Sequence, residues 1–412
     1  MPDRKFVVIG AGPAGLAATH VLSKLGIPAV CIERNDRVGG LSGTILYKGY
    51  RFDIGGHRFF TKIREVDDLW RETLGNDFLR RPRLSRVYYR NRFFSYPLKP
   101  LEALAGLGLI DTLRILGSFA LARLRPHTPE ENFEQWVSNR FGRRLFDIFF
   151  KTYTEKVWGV PCAEISAEWA AQRIKGLSLT AAIRNALFKQ GARGNIKTLV
   201  EEFDYPRLGS GQMYERMAER ISELGNSVVM NRQVVEIRQE QNLVIEVVTR
   251  DADGNTYSYP GTDFISTMPL TDLVLAMNPP APEEVRRAAA SLNYRSILTV
   301  NLLIDEEQTV PDTWIYVHSP EVRVGRIQCY KNWSPHMVPD PGRSSLGLEY
   351  FCTEGDDFWN LPDDELARIA RQEIEKLDLC SPDKILDAFM VRMAKAYPVY
   401  DSAYNQFFNL LP

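Results

Sequence analysis

The sequence predicts an α/β fold in which a parallel-sheet unit is interleaved with a helical region and an antiparallel sheet. Residues 6–9 and 29–32 are short apolar runs on either side of a helical pattern at 14–25, which is the order of a βαβ unit. Apolar residues then recur at helical spacing from about 101 to 187. From about 296 to 348, short alternating runs separated by Pro- and Gly-rich turns indicate an antiparallel sheet.

Length and charge limit the function classes. The 412 residues are two to three times the length of a typical domain, so we expect several packed units. The 51 basic and 52 acidic side chains nearly cancel, which argues against a nucleic-acid binder. The five cysteines are scattered without CxxC or Cys/His spacing, so we expect no metal site, no disulfide framework and a cytoplasmic protein.

The turn between the first apolar run and the helix carries the pattern Gly10-x-Gly12-x-x-Gly15. The first glycine permits a tight turn, the second lets the backbone approach a pyrophosphate, and the third lets the helix pack on the strand. Pro13 and Ala14 open the helix, whose amino terminus would face the anion. The loop therefore predicts a dinucleotide site, and a purely structural turn is the alternative.

The end of the second apolar run indicates which dinucleotide binds. Glu33 lies about 20 residues beyond the glycine loop, where a carboxylate bonds the ribose hydroxyls, and Arg34 follows it. A carboxylate suits an unphosphorylated ribose, so FAD or NAD is favoured over NADP. The following Gly39-Gly40-Leu41 has no standard role in simple NAD dehydrogenases. In flavoproteins that this chain resembles, such a doublet packs beside the first loop, which favours FAD.

With these motifs the chain resembles the amine oxidase and protoporphyrinogen oxidase superfamily of FAD enzymes, and within it the UDP-galactopyranose mutases. The strand around Val234 resembles the position whose backbone meets the adenine. Further matching stretches are "FDIGGHRFF" (52–60), "YTEKVWG" (153–159), "DFISTMPL" (263–270) and "RIQCYKNWSP" (326–335).

The resemblance implies roles for particular residues. The loop of Gly55, Gly56 and His57 would lie against the flavin ring, Trp158 would lie near the substrate-side helices, and Arg326 would contact a substrate diphosphate. We therefore take His57, Trp158 and Arg326 as catalytic candidates. The alternatives are a plain turn at Gly55-Gly56 with a satisfied histidine at His57, core packing for Trp158 and one half of a surface ion pair for Arg326.

The resemblance also implies a domain organisation. Residues 1–75 and 191–270 would form the FAD-binding domain, 76–97 would give strands to the sheet domain, and 98–190 would form a helical substrate-side domain. Residues 271–412 would complete the antiparallel sheet and end in a helix. The C-terminal glycine-containing unit that usually covers the flavin is expected to be missing, which would leave the FAD pocket open on one side.

Several expectations about partners follow. The apolar stretch 101–124 is interrupted by Asp111, Arg114 and Arg123, which favours a core or substrate-covering helix pair over membrane contact. The implied substrate is a small molecule, best a nucleotide-linked sugar, with NAD(P)H as a candidate electron donor and a homodimer as a candidate assembly.

The implied activity has alternatives. The leading hypothesis is a mutase-like isomerase that changes the ring form of a nucleotide sugar without net redox change. The second is an amine oxidase or a protoporphyrinogen oxidase or desaturase of the same superfamily. The third is a truncated, non-catalytic flavoprotein. Tyr397, Tyr400 and Tyr404 are either substrate phenols or packing residues.

Overall fold

The structure is a computed structural model that describes residues 4–168, 171 and 202–399. Tyr400 and Tyr404 lie outside the described residues, as does most of the helical prediction beyond residue 168. The strands are β1 Phe6–Ile9, β2 Ala29–Ile32, β3 Thr44–Tyr47, β4 Tyr50–Asp53, β5 Phe78–Pro82, β6 Ser85–Tyr89, β7 Arg92–Ser95, β8 Glu202–Pro206, β9 Ser227–Val229, β10 Gln233–Glu240, β11 Leu243–Arg250, β12 Thr256–Pro260, β13 Asp263–Ser266, β14 Met277–Asn278, β15 Tyr294–Ile304, β16 Trp314–Val317, β17 Arg326–Cys329, β18 Ser344–Cys352 and β19 Ile385–Pro398. The helices are α1 Pro13–Lys24, α2 Arg64–Leu74, α3 Pro100–Leu107, α4 Leu109–Leu124, α5 Phe133–Phe141, α6 Arg143–Phe146, α7 Thr152–Trp158, α8 Gly211–Glu223, α9 Leu270–Leu275, α10 Glu283–Ala290, α11 Tyr330–Trp333 and α12 Asp363–Lys376.

A parallel sheet of order β13-β1-β2-β9 lies at the start of the fold. Phe6 pairs with Ala29 on one side and with Asp263 on the other, so strands far apart in sequence share one register. Val8 and Cys31 are fully buried in a core that includes apolar residues of α1 and α8. This helix-covered parallel sheet confirms the predicted α/β class.

A seven-stranded sheet of order β19-β15-β18-β17-β16-β6-β7 forms the other large layer. Its β15 and β18 are antiparallel and buried along almost their whole length. The sequence predicts single strands over 47–53 and 86–96, but each region is a hairpin or part of one, β3–β4 and β6–β7. Arg90 and Asn91 adopt φ of 50° and 57°, the left-handed pair that tight two-residue hairpins require.

The apolar stretch around α4 is more exposed than a core helix would be. Ile115 is the buried residue of α4, whereas Leu109, Leu113 and Leu124 are 74%, 60% and 80% exposed. The outer face of α4 is therefore not packed as core, and the other half of the prediction, a substrate-covering helix pair, stays a prediction. Among the described helices, none has the length and apolar character needed to cross a bilayer.

Candidate functional site

A cavity of about 610 Å³ opens where the parallel strands β1, β2 and β13 end. Carboxyl ends of parallel strands meet at one edge of a sheet, so loops that are distant in sequence converge there. The lining residues are Ile9, Gly10, Gly12, Pro13, Ile32, Glu33, Arg34, Asn35, Gly40, Leu41, Ser42, His57, Arg232, Gln233, Val234, Thr267, Met268, Pro269, Asp272, Tyr294, Met393, Ala394 and Lys395.

The glycine loop has the geometry that its sequence predicts. Gly10 adopts a φ of 96°, and a Cβ there would lie 2.4 Å from Thr267 Oγ1. A Cβ on Gly15 would lie 1.8 Å from the carbonyl oxygen of Gly10, so the helix can pack this closely only without a side chain. A Cβ on Gly12 would meet nothing within 4 Å, which leaves room for a ligand beside the backbone.

The amino terminus of α1 adjoins the same opening. The helix begins at Pro13 after Gly12, and no side chain caps it. The first-turn N–H groups of Ala14 and Gly15 therefore have no partner from a capping side chain, and the helix dipole favours an anion at this end. A pyrophosphate satisfies both requirements.

Glu33 is held by hydrogen bonds from two segments. It is 6% exposed, and its Oε2 accepts the N–H of Ala11 at 2.8 Å. Its Oε1 accepts the backbone N–H of Asn35 at 2.9 Å and the Asn35 amide at 2.8 Å. The carboxylate thus fixes the glycine loop while lining the cavity, where its remaining lone pairs suit ribose hydroxyls.

The second glycine doublet packs beside the first loop. The N–H of Gly39 donates to the carbonyl of Ala11 at 2.8 Å. Gly39 and Gly40 have φ values of 95° and 53°, and a Cβ on Gly40 would lie 3.5 Å from Gly12 Cα. Gly40 and Leu41 line the cavity.

The loop at residues 55–57 connects the cavity to an aromatic surface. His57 lines the cavity, and its buried Nδ1 has no hydrogen-bond partner among the described residues. Burial lowers the pKa of His57, so the imidazole is neutral at pH 7. A Cβ on Gly56 would lie 2.7 Å from the ring of Trp314, so glycine lets the loop lie against that indole.

Arg326 and Glu349 form a buried ion pair near this loop. Arg326 Nη2 bonds Glu349 Oε2, with the two side chains 13% and 0% exposed. The guanidinium also stacks over Trp314 and Phe351, with Cζ 5.1 and 4.7 Å from the ring centroids. Burial is the largest influence on Arg326 and opposes its charge, but Glu349, Tyr153 and Tyr397 together raise the pKa of the guanidinium. The structure therefore places Arg326 in a buried pair rather than a surface one.

Trp158 lies away from the lining of the cavity. It is 9% exposed and belongs to an apolar cluster with Phe133 and Val137 of the helical region. Its ring centroid lies 6.5 Å from that of Tyr397 on β19, and β19 supplies cavity residues a few positions earlier. The catalytic role of Trp158 stays a prediction.

The cavity brings together most of the predicted cofactor residues. Those that line it are Gly10, Gly12, Pro13, Glu33, Arg34, Gly40, Leu41, His57 and Val234. Those outside its lining are Ala14, Gly15, Gly39, Gly55 and Gly56. Of the second set, Gly15, Gly39 and Gly56 support the lining through the contacts described above. Their individual roles toward a cofactor stay predictions.

Two wall segments hold lining residues that were not among the predicted site residues. Thr267 and Met268 follow β13, and the parallel arrangement of that strand with β1 was the signal that could have located them. Met393 and Lys395 come from a bulge in β19, where Ile297 pairs with Met393 but Arg295 pairs with Tyr397. Lys395 has a φ of 53° there, and no local sequence signal marks a bulge formed against a strand about 100 residues away.

The residues at this cavity fit FAD. An uncapped helix terminus suits the pyrophosphate, Glu33 suits the adenosine ribose, and the orphaned nitrogen of His57 lies at the aromatic end where the flavin ring would be. The open space beside Gly12 allows the backbone to approach the diphosphate. This agreement rests on the donor set and the shape of the chain's own residues.

Comparison with known proteins gives consistent results. A likeness to a crystal structure of reduced UDP-galactopyranose mutase has a TM-score of 0.83 at 24% identity, and it covers 98% of this chain and 86% of that one. At this identity the likeness shows the fold. An L-amino-acid oxidase of Demansia vestigiata is 22% identical over 96% of this chain and 75% of its own length. A probable UDP-galactopyranose mutase of Klebsiella pneumoniae is 25% identical over 40% of this chain and 44% of its own.

The family model for flavin-containing amine oxidoreductases matches residues 13–394. This match runs from the first helix after the glycine loop to the β19 segment in the cavity wall. Its extent supports an active flavoenzyme over the non-catalytic alternative. The chain therefore belongs to the flavin-containing amine oxidoreductase family, and it is an FAD-dependent enzyme of that superfamily.

Proposed function

We propose that this protein is a mutase-like flavoenzyme that changes the ring form of a nucleotide-linked sugar. The observation that carries the proposal is the position of Arg326. Its guanidinium lies over the ring of Trp314. Besides burial, the charges of Glu349 and Arg326 shift the pKa of His57, and His57 lines the cofactor cavity. A guanidinium near the flavin end suits an anionic substrate such as a nucleoside diphosphate sugar.

The bound flavin supplies the electron-rich ring chemistry that such a reaction needs. The protein's own residues bind and orient. Arg326 would bind a phosphate oxygen through its buried Nε, which makes no hydrogen bond among the described residues. Glu349 would hold the guanidinium in that orientation, and the rings of Trp314 and Phe351 would exclude water from it. Exclusion of water strengthens a charge-assisted hydrogen bond.

The test is turnover by reduced and oxidised holoenzyme. We expect dithionite-reduced, FAD-loaded protein to convert at least one UDP-hexopyranose of a panel into its furanose, as separated by chromatography. The oxidised protein should be inactive, since the reaction needs an electron-rich flavin. The absence of conversion across the panel, with the flavin shown to be bound and reduced, would contradict the proposal.

A second candidate function is oxidation of an amine or amino acid. The alignment with an L-amino-acid oxidase, which spans 96% of this chain, favours it. An oxidase should consume oxygen and release hydrogen peroxide with L-amino acids or amines, whereas a mutase should not turn over with them. An oxygen electrode separates the two candidates. NAD(P)H as electron donor and a homodimer stay predictions.

A further inference from the structure

Within the described part of the chain, two arginines near the His57 loop have no acidic partner for their charge. Arg58 follows His57, and Arg83 lies in the link between β5 and β6; both are partly buried. Across residues 4–168, 171 and 202–399, neither side chain makes an ion pair or a hydrogen bond. The Nε of Arg83 is buried and has no hydrogen-bond partner among the residues that the structure describes. An orphaned donor of this kind costs stability, so its retention calls for a ligand.

Arg80 and Arg86, on the two strands that flank Arg83, are paired with carboxylates. Arg80 bonds Asp204 at 2.6 Å, and Arg86 bonds Asp312 at 2.8 Å. Burial lowers the pKa of Arg83, and the charge of Arg58 lowers it further. The two like charges therefore lie close enough to repel each other.

A row of aromatic rings joins these arginines to the His57 loop. The guanidinium of Arg83 lies 5.8 Å from the ring of Tyr96, and Tyr96 lies 4.5 Å from Tyr316. Tyr316 stacks on Trp314 at 5.6 Å, and Trp314 is the indole against which Gly56 packs. The row ends beside the His57 loop, and the ring of Tyr96, which is 41% exposed, offers an apolar face on which a sugar or a base can lie.

The net charge of the arginines around the aromatic row indicates what kind of ligand they bind. Arg326 also stacks on Trp314, but Glu349 neutralises it, so that pair brings no net charge to a ligand. A diphosphate carries about two negative charges, which an uncompensated pair of guanidiniums can neutralise with forked hydrogen bonds. Arg58 and Arg83 supply that net positive charge.

We propose that Arg58 and Arg83 form an oxyanion subsite that binds a phosphate group of the substrate beside the Tyr96–Tyr316–Trp314 row. The inference rests on the proposed function, because it names the residues that neutralise the nucleotide-linked substrate. It adds a second phosphate contact to the one assigned to Arg326.

The test measures binding of inorganic pyrophosphate and of UDP to oxidised, FAD-loaded protein by calorimetry. We expect Arg58→Gln and Arg83→Gln each to weaken both ligands about tenfold, and the double variant about a hundredfold, because each loses a charge-assisted bond. The matched control is Arg287→Gln on α10, which removes one exposed arginine charge elsewhere. It should bind as the unaltered protein does.

A purely structural role predicts a different pattern. Removing an unpaired cation should leave the thermal midpoint of unfolding unchanged or raised, whereas a structural arginine would lower it. Arg83→Lys should retain more affinity for pyrophosphate than Arg83→Gln, because lysine keeps the positive charge and loses only the bidentate hydrogen bonding of the guanidinium. The ratio of bound flavin to protein should be equal in all variants.

The outcomes separate this inference from the proposed function. Pyrophosphate binding that the double variant leaves unchanged would overturn the subsite. A site that binds succinate in preference to pyrophosphate, with that binding lost in the double variant, would overturn the phosphate assignment in favour of a carboxylate. Arginine-dependent pyrophosphate binding without conversion of any UDP-hexopyranose would uphold the subsite while the mutase proposal fails.

Discussion

The nucleotide-loop region around Glu33 and the region around Arg58 and Arg83 differ in whether the protein supplies partners for their charged groups. Both carboxylate oxygens of Glu33 accept hydrogen bonds from the protein itself. Arg58 and Arg83 have no such partners among the residues that the structure describes. Ribose hydroxyls bring no charge, so a carboxylate facing them can be satisfied in advance by protein donors. A phosphate brings its own charge, and guanidiniums without a protein carboxylate can balance that charge.

The ion pair between Arg326 and Glu349 gives the largest contrast with the unpaired arginines. We expect Glu349→Gln to lower the free energy of unfolding by about 4 kcal/mol, because it leaves a buried guanidinium uncompensated. Arg83→Gln should cost nothing. Urea unfolding measures both. The double variant Arg326→Met/Glu349→Leu should recover most of the loss, since apolar side chains can replace a buried pair. A small effect of Glu349→Gln would remove the distinction between the two kinds of arginine.

In the nucleotide-loop region, Gly15 and Gly12 can be compared because a Cβ would clash at Gly15 and would meet open space at Gly12. Gly15→Ala should cost about 3 kcal/mol of unfolding free energy, because its Cβ would lie 1.8 Å from a backbone oxygen. Gly12→Ala should change stability by less than about 0.5 kcal/mol but weaken FAD binding at least tenfold, since its Cβ would occupy the approach to the cofactor. Equal flavin affinity in Gly12→Ala and the unaltered protein would contradict this placement of the pyrophosphate.

A third test concerns Asp53, which lies at the end of β4 before the His57 loop. Burial raises the pKa of Asp53 to about 6, although Thr44, Tyr205 and Ser210 all donate hydrogen bonds to it. The folded state therefore retains the proton over a range in which the unfolded chain has lost it. Stability from this group is present below about pH 4 and is lost as the pH rises through about 6.

The measurement is urea unfolding between pH 4 and pH 7. We expect the unaltered protein to lose about 2 kcal/mol relative to Asp53→Asn across this interval, because asparagine does not titrate. Parallel pH profiles for the two proteins would show that Asp53 ionises normally in the fold.

The two regions also differ in how far the sequence predicts them. Gly10, Gly15 and Glu33 could be recognised because their roles depend on neighbours within about 25 residues and on a βαβ unit with known geometry. Arg83 could not, because an arginine without a partner has the same sequence pattern as a paired one. Its status depends on which carboxylates the fold brings near, and Arg80 and Arg86 show how different that result can be three residues away.

The resemblance to a known family predicted some site residues beyond the nucleotide loop, but not their charge partners. It drew attention to His57 and Arg326, but it gave no indication that Glu349 neutralises Arg326. Whether the leucines of α4 are packed as core or exposed could not be predicted for a related reason. Apolar periodicity predicts a helix with an apolar face, but only the packing of other elements decides whether that face is covered.

The bulge in β19 has a consequence for how the enzyme is made. Met393 and Lys395 complete a wall that Gly10 begins, and nearly the whole described chain separates them. Chains emerge from the ribosome amino terminus first, so the glycine loop is exposed long before its last neighbour exists. Capture of the vitamin-derived cofactor would then be a late event of biosynthesis, and nascent chains halted before β19 should leave the ribosome colourless.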